Sequence, residues 1–296
     1  MSHSLNDSGD QFTAHLMEAL PYIRAFSGKT VVIKYGGAAM KTPERKEDFV
    51  RDIVLLRYVG IRPVVVHGGG PAISEMMQKL GKTPRFVGGL RITDEETVKI
   101  TEMVLVGDIN QEIVNLINQH GGAAVGLSGK DGRVIEARKH VGGPEDGEKV
   151  DLGFVGDVYK INPRVIEALE QSGFIPVLAP LGVDSAGCTY NINADLVAGE
   201  IAAALLAEKL IMLSDTPGIL ADPKDPATLL SEIPVSELDR LIAEGVISGG
   251  MIPKVRACRR ALECGVSKTH IIDGRRSHGL LLEIFTNRGV GTQIVN

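Results

Sequence analysis

The sequence predicts an α/β protein, a three-layer αβα sandwich around a mainly parallel central sheet, built as two lobes. Three observations lead there. Short β-branched runs recur along the chain, each closed by a turn and followed by a helical stretch. The runs are apolar almost throughout, as in strands covered on both faces, and do not alternate with polar residues. Glycine is abundant, 35 of 296 residues or about 12% against roughly 7% in average proteins, and part of that excess falls at the ends of the runs.

Residues 1–10 are polar and read as a frayed tail. Phe12, Leu16, Ala19, Leu20 and Ile23 then recur at helical spacing. Pro21 inside that pattern is expected to kink or break the helix. Such a helix either packs on its own domain or seeks a partner chain. The run from Thr30 to Lys34 is a strand, followed by Gly36-Gly37 and a helix through Phe49, Ile53, Val54 and Leu56. Pro63 to His67 is the next strand, followed by Gly68-Gly69-Gly70-Pro71 and a helix from Ala72 to about Leu80. The stretch from Arg133 to Tyr159, rich in Gly and charge, reads as hairpins or a flap. Ile175 to Leu178 is a strand, Ala194 to Leu206 an Ala-rich helix, and Leu210 to Leu213 a strand entering Ser214-Asp215-Thr216-Pro217-Gly218. No linker divides the chain. The expected units are a kinked N-terminal helix over 1–28 and lobes over 29–185 and 186–296. The lobes meet near 180–190 and are free to share one sheet.

A hydrophobic share of 44% is ordinary for a globular chain with a sizeable core. The glycines have no Gly-X-Y period, which removes collagen. A net charge of −5 argues against a nucleic-acid binder, and aromatics at 4% leave few stacking platforms. A small anionic ligand stays allowed, because a few placed cations suffice. Cys188, Cys258 and Cys264 form no C-x-x-C pair, and the histidines form no H-x-x-x-H pair. A disulfide framework or structural zinc is not expected, no dedicated metal ligand is named, and the thiols are expected to be buried or half-buried. No apolar run approaches the roughly 20 residues that span a bilayer. The polar N-terminus, with Asp7 and Asp10, lacks an apolar signal core and predicts the cytoplasm.

In such folds ligands gather at the carboxyl ends of strands, where helices begin. Gly36-Gly37, Gly68-Gly69-Gly70 and Gly218 lie there, and glycine lets backbone N–H groups approach an anion. Tight turns alone would also explain any one cluster. A Walker A loop is absent: Ile23 stands in the first Gly position before Gly28-Lys29-Thr30, and Met40 precedes Lys41-Thr42. A dinucleotide fingerprint fails as well, since Ile73 replaces the third Gly and Arg91 stands near the acid's place. Lys34 ends a strand directly before Gly36-Gly37. Lys254 lies just inside a helix start after Gly249-Gly250, where the macrodipole disfavours a cation unless an anion is bound. Asn191-Ile192-Asn193-Ala194-Asp195 enters the Ala-rich helix with more polar groups than one cap needs.

These residues resemble the amino acid kinase family. The segments that match are Ile33 to Gly37, His67 to Pro71, Gly89-Leu90-Arg91-Ile92-Thr93, Asn191 to Asp195, Ser214 to Gly218 and Gly250 to Lys254, in order from about residue 28 to the end. Gly-Leu-Arg-Ile-Thr and Asn-Ile-Asn-Ala-Asp are similar to the branch that phosphorylates N-acetyl-L-glutamate, and separate it from aspartokinase, glutamate 5-kinase and UMP kinase. Those relatives, and a catalytically silent amino-acid sensor on the same fold, are the alternatives.

The resemblance implies transfer of the γ-phosphoryl of ATP, with Mg²⁺ held mainly by the phosphates, to a side-chain carboxylate in arginine biosynthesis. It makes Lys34 and Lys254 the transition-state stabilisers and Asp195 the group that orients both. Gly36, Gly37 and Gly69 donate N–H groups to the phosphoryl. Arg91 takes the acceptor's α-carboxylate, with Gly69, Gly70 and Asn191 on the remainder. Asn193 supports the loop, and His67 is structural. Ser214, Asp215 and Gly218 belong to the nucleotide loop. The lobe 29–185 then binds the acceptor and dimerises, and 186–296 binds the nucleotide. Members with such an N-terminal helix form hexamers, trimers of dimers, and are inhibited by arginine. Here Glu283 would take the guanidinium, near Lys209, Tyr22, His270 and Gly289.

Overall fold

The computed structural model describes residues 3–141, 151–286 and 289–296. It opens on α1 (His3–Phe26), which corrects one expectation, since residues 3–10 are helical and not a frayed tail; of the two outcomes expected at Pro21, a break does not occur, because the helix continues through it. A proline in a helix interior forfeits one backbone hydrogen bond. Here packing offsets that loss, because Ala19, Tyr22, Ile23 and Phe26 lie against the apolar core.

β1 (Thr30–Tyr35) and a 3-10 turn lead to α2 (Pro43–Tyr58). Thr42 caps α2 by accepting from the Arg45 N–H, and Pro43 takes an early position where no N–H is needed. β2 (Arg62–His67) runs into α3 (Gly70–Lys79), and the hairpin β3 (Phe86–Val87) and β4 (Leu90–Arg91) follows. α4 (Glu95–Glu102), a π-helical segment (Met103–Asn110) and α5 (Gln111–Gln119) form one continuous rod. Next come β5 (Ala124–Ser128), β6 (Ile135–Lys139), β7 (Gly156–Ile161), α6 (Arg164–Gln171), β8 (Ile175–Ala179), β9 (Leu181–Val183) and β10 (Thr189–Asn191). The second half holds α7 (Ala194–Ala204), β11 (Lys209–Ser214), β12 (Glu232–Pro234), α8 (Leu238–Ala243), α9 (Met251–Glu263), β13 (Lys268–Asp273), α10 (Gly279–Phe285) and β14 (Gly291–Val295).

One eight-stranded sheet runs β12-β14-β13-β11-β1-β2-β8-β5. Six strands are parallel, while β12 and β14 run the other way. Each half of the chain supplies four of its strands, so the halves share a single sheet. Alternate residues feed two cores. Val31, Ile33 and Tyr35 pack under α2 and α5, whereas Val32, Val64 and Val66 pack under α7 and α9. Burial on both faces is why these strands read as unbroken apolar runs. A smaller sheet, β10-β9-β6-β7, stands beside it. β6 and β7 are the antiparallel hairpin expected from the Gly- and charge-rich stretch, and residues 142–150 within that expectation lie outside the described residues.

Cys258 is buried and Cys264 half-buried, but Cys188 is exposed, against expectation. It sits in the polar turn between β9 and β10, where its N–H and that of Ala186 bind the Asp184 carboxylate. β1 has β2 on one side and β11 on the other, and the carboxyl ends of all three converge on the site.

Candidate functional site

Three elements bring charge to the end of β1. Lys34 is its penultimate residue, with the ammonium folded back over Gly36. Asp195 stands in the first turn of α7, whose cap Asn193 accepts from the Asp195 and Leu196 N–H groups. A carboxylate there is favoured by the helix dipole. Lys254 lies in the first turn of α9. The two helices pack closely at Gly199, where a Cβ would meet the Ala257 carbonyl oxygen at 2.8 Å. That approach carries Lys254 across to α7.

Asp195 bridges both lysines: Lys34 Nζ lies 2.9 Å from Oδ1 and Lys254 Nζ 2.8 Å from Oδ2. Lys34 is 8% exposed and Asp195 6%. Burial opposes the carboxylate's charge, but the two ammonium groups prevail and hold Asp195 below the usual carboxylate range. Burial draws the Lys34 ammonium below the ordinary lysine value, with Lys254 adding to it against the pull of Asp195. Two cations on one anion leave one positive charge in excess at a buried position. A buried charge without a partner is costly, so the surplus favours an anionic ligand.

Lys34 and Asp195 face a cleft of about 610 Å³, while Lys254 stands behind Asp195 and is not part of its lining. Lys34, Gly37, Gly69, Gly70, Arg91, Asn191 and Asp195 line it. Arg91, at the end of β4, is 6% exposed. Its Nη2 donates to the Gly70 carbonyl and to Ser74 Oγ at 2.8 Å each, and the guanidinium lies 4.7 Å from the Phe86 ring centre. The orientation is therefore set before any ligand arrives. Ser214 ends β11, next to β1, and Asp215 and Gly218 follow it. Asp215 acts on Lys34 through its field. Ser214 Oγ and the Gly218 carbonyl bond to Thr216, and neither residue lines the cleft.

Sequence reading passed over the π-helical segment. It supplies Leu105, Asp108 and Ile109 to the cleft wall, and Glu112 follows it. π-helical turns recur at functional sites, but their hydrogen-bond register leaves no mark in residue type. Ser74, the partner of Arg91, was also unread.

A second buried cluster lies at the far end of β11. His270 Nδ1 and Glu283 Oε1 are 2.7 Å apart, Val290 N–H donates to Glu283 Oε2, and Lys209 Nζ lies 3.4 Å from His270 Nε2. Gly289 abuts the Glu283 carboxylate. Phe26 of α1 covers Lys209, its ring centre 4.9 Å from Nζ, and Tyr22 packs on the same core.

Residues 29–273 match the profile described as the amino acid kinase family. The chain belongs to that family. Within it the chain falls among the acetylglutamate kinases. It is 59% identical to the acetylglutamate kinase of Moorella thermoacetica, over 96% of this chain and 97% of that protein. It is 58% identical to that of Thermosynechococcus vestitus, over 95% and 92%. Among solved structures, the N-acetylglutamate synthase of Neisseria gonorrhoeae complexed with coenzyme A and N-acetyl-glutamate superimposes with a TM-score of 0.83 at 27% identity. That match covers 96% of this chain and 63% of the synthase. Carbamate kinase from Giardia lamblia bound to AMP-PNP shares the fold, at TM-score 0.65 and 19% identity over 90% of this chain and 98% of that one. As a member of the amino acid kinase family, this enzyme is an ATP-using phosphotransferase.

Proposed function

We propose that this kinase moves the γ-phosphoryl of ATP onto the side-chain carboxylate of N-acetyl-L-glutamate, giving N-acetyl-L-glutamyl 5-phosphate, an early step of arginine biosynthesis. The observation that carries the reading is the Lys34–Asp195–Lys254 bridge, of which Lys34 and Asp195 line the same cleft as Arg91. The names of the relatives support the choice of acceptor.

A side-chain carboxylate with a pKa of about 4.3 is already ionised at neutral pH, so the reaction needs no general base. It needs two anions held in line and charge neutralised as the bond shifts. Lys34 bridges the phosphates from the acceptor side and Lys254 from the nucleotide side, while Asp195 orients both. Backbone N–H groups of Gly36, Gly37 and Gly69 meet the moving phosphoryl. Arg91 holds the α-carboxylate by charge-assisted hydrogen bonds. Gly70 and Asn191 hold the rest of the acceptor, and the Ser214–Gly218 loop serves the nucleotide. Mg²⁺ comes with ATP. Among the described residues no group of three His, Cys, Asp or Glu side chains is set to cage a metal, and both Asp195 oxygens face lysines. This donor set suits an ion held mainly on the phosphates. We assign lobe 29–185 to the acceptor and dimerisation, and lobe 186–296 to the nucleotide.

The reading includes feedback inhibition by arginine at the Glu283 cluster, with Lys209, His270, Gly289 and Tyr22 around it, and a hexamer formed through α1. Leu16, Met17 and Leu20 on α1 are exposed apolar residues that a partner chain would cover. Among the described residues no helix is long and apolar enough to cross a membrane. We assign the reaction to the cytoplasm, where ATP is at hand.

An ADP-release assay across N-acetylglutamate, glutamate, aspartate and UMP tests the acceptor. N-acetylglutamate should be turned over fastest, and preference for any other would overturn the reading. Deleting residues 1–26 should reduce the hexamer to dimers by light scattering. Full activity at saturating arginine would remove the inhibitor.

A further inference from the structure

Beneath the glycine turn, His67 and Asn110 form a buried chain of hydrogen bonds that no step above uses. His67, the last residue of β2, is fully buried. Its Nδ1 lies 3.1 Å from the Gly68 carbonyl oxygen, and its Nε2 lies 3.0 Å from Asn110 Nδ2. A neutral imidazole has one donor and one acceptor. The carbonyl can only accept, so Nδ1 carries the hydrogen and Nε2 accepts from Asn110. The other Nδ2 hydrogen goes to the Val177 carbonyl at 2.9 Å, which decides how the amide is turned. Burial draws His67 down to about 4, so the ring is neutral under working conditions.

We propose that Asn110 and His67 are positioning residues that aim the Gly69 N–H at the transferred phosphoryl group. The proposal rests on the phosphoryl-transfer reading above. Three successive glycines leave the turn's backbone nearly free to rotate, so its direction must be imposed from outside. Gly68 is tied at both ends: its N–H donates to the Tyr35 carbonyl at 2.8 Å, and its carbonyl accepts from His67. The trans peptide is planar, so the Gly69 N–H points opposite to that carbonyl, away from the ring, and Gly69 itself lines the cleft. Gly69 precedes α3, where N–H groups have no partner within the helix and bind anions.

Asn110 ends the π-helical segment, and the same segment packs on Gly69. A Cβ at Gly69 would lie 2.5 Å from Ile109 Cδ1 and 2.6 Å from Leu105 Cδ2. Asn110 Oδ1, by contrast, is buried without a partner among the described residues. Gly126 makes room for it, since a Cβ there would come within 2.0 Å. A residue kept for packing alone would be apolar and leave no orphaned oxygen. The amide earns its place through its donors.

Two substitutions separate positioning from packing. His67→Asn puts an amide nitrogen near the place of Nδ1 and can still hold the Gly68 carbonyl. His67→Gln reaches only the place of Nε2. The kcat of His67→Gln should fall about tenfold or more below that of His67→Asn, with the two KM values within about threefold of wild type. Equal kcat values, or a deeper loss in His67→Asn, would overturn the proposal. If either variant misfolds, ¹⁵N NMR of the wild-type histidines decides. The His67 ring should stay in the Nδ1–H form from roughly pH 6 to 8, and an Nε2–H tautomer or a titrating ring would refute the relay. The wild-type ADP-release assay is the separate control: no turnover of N-acetylglutamate would sink the functional reading, whatever the tautomer.

Discussion

Two buried carboxylates, Asp195 and Glu283, each collect basic side chains, and they differ in what those bases are and what lies over them. Asp195 binds two lysines and looks into the open cleft. Glu283 binds a histidine, with a lysine behind it, under the Phe26 end of α1. In both, burial opposes the carboxylate and the neighbouring groups hold it below its usual range. Burial also lowers His270, so the imidazole is neutral, donating through Nδ1 to Glu283 and accepting from Lys209. The comparison teaches that permanent charge beside an open cleft suits phosphoryl transfer. The Glu283 network, covered by the Phe26 end of α1, is the one we propose for arginine.

The strongest way to break the contrast is Asp195→Ala. It leaves Lys34 and Lys254 facing each other without their anion, and kcat should drop by about 10³-fold. A loss under about tenfold in steady-state kinetics would mean that the bridge is structural only. Lys254→Ala should lower kcat by about 10²-fold or more while moving KM far less. Arg91→Ala should act on the other parameter, raising KM for N-acetylglutamate by about 10- to 100-fold, as loss of a charge-assisted contact does. If Arg91→Ala changed kcat and Lys254→Ala changed KM, the two roles would be reversed.

Glu283→Gln sharpens the other side. The arginine concentration for half-inhibition should rise by about tenfold or more, and an unchanged inhibition curve would detach the cluster from arginine. The smallest effect is with acid. His270 has a folded pKa below its ordinary 6.5, so its contribution to stability is present above that value and is lost as pH falls below it. Asp195, lowered from 3.8, loses its contribution only at more acidic pH. Urea melts between about pH 7.5 and 5 should therefore decline less steeply in His270→Gln than in wild type. Parallel slopes would show that the ring is not held neutral.

Individual strands such as Thr30–Tyr35, Arg62–His67 and Lys209–Ser214, and the glycine turns at their ends, were legible because they rest on local signals, whereas the strand order and the sharing of one sheet came from the structure. β-branched runs buried on both faces and glycines at turns need no knowledge of the partner strand. The start of α1 was not legible. Ser, Asn, Asp and Gly over residues 3–10 have weak helix propensity, yet the segment is helical. The exposure of Cys188 was missed for a related reason, since the turn around Asp184 depends on hydrogen bonds rather than hydropathy.

What the sequence alone determined was which chemistry-bearing groups stand at the carboxyl ends of strands and at helix starts, namely Lys34, Asp195, Lys254 and the glycine turns, while Arg91 was marked by the family resemblance and not by a predicted strand. Side-chain type and local periodicity encode those placements. The resemblance paired Lys254 with Asp195, and the structure gave the contact across 59 residues; only the tertiary structure decided that Ser74 presets Arg91 and that Asn110 clamps His67 across 43 residues. Such pairings depend on helix packing and on the register of a π-helical turn. No window of neighbouring residues contains either.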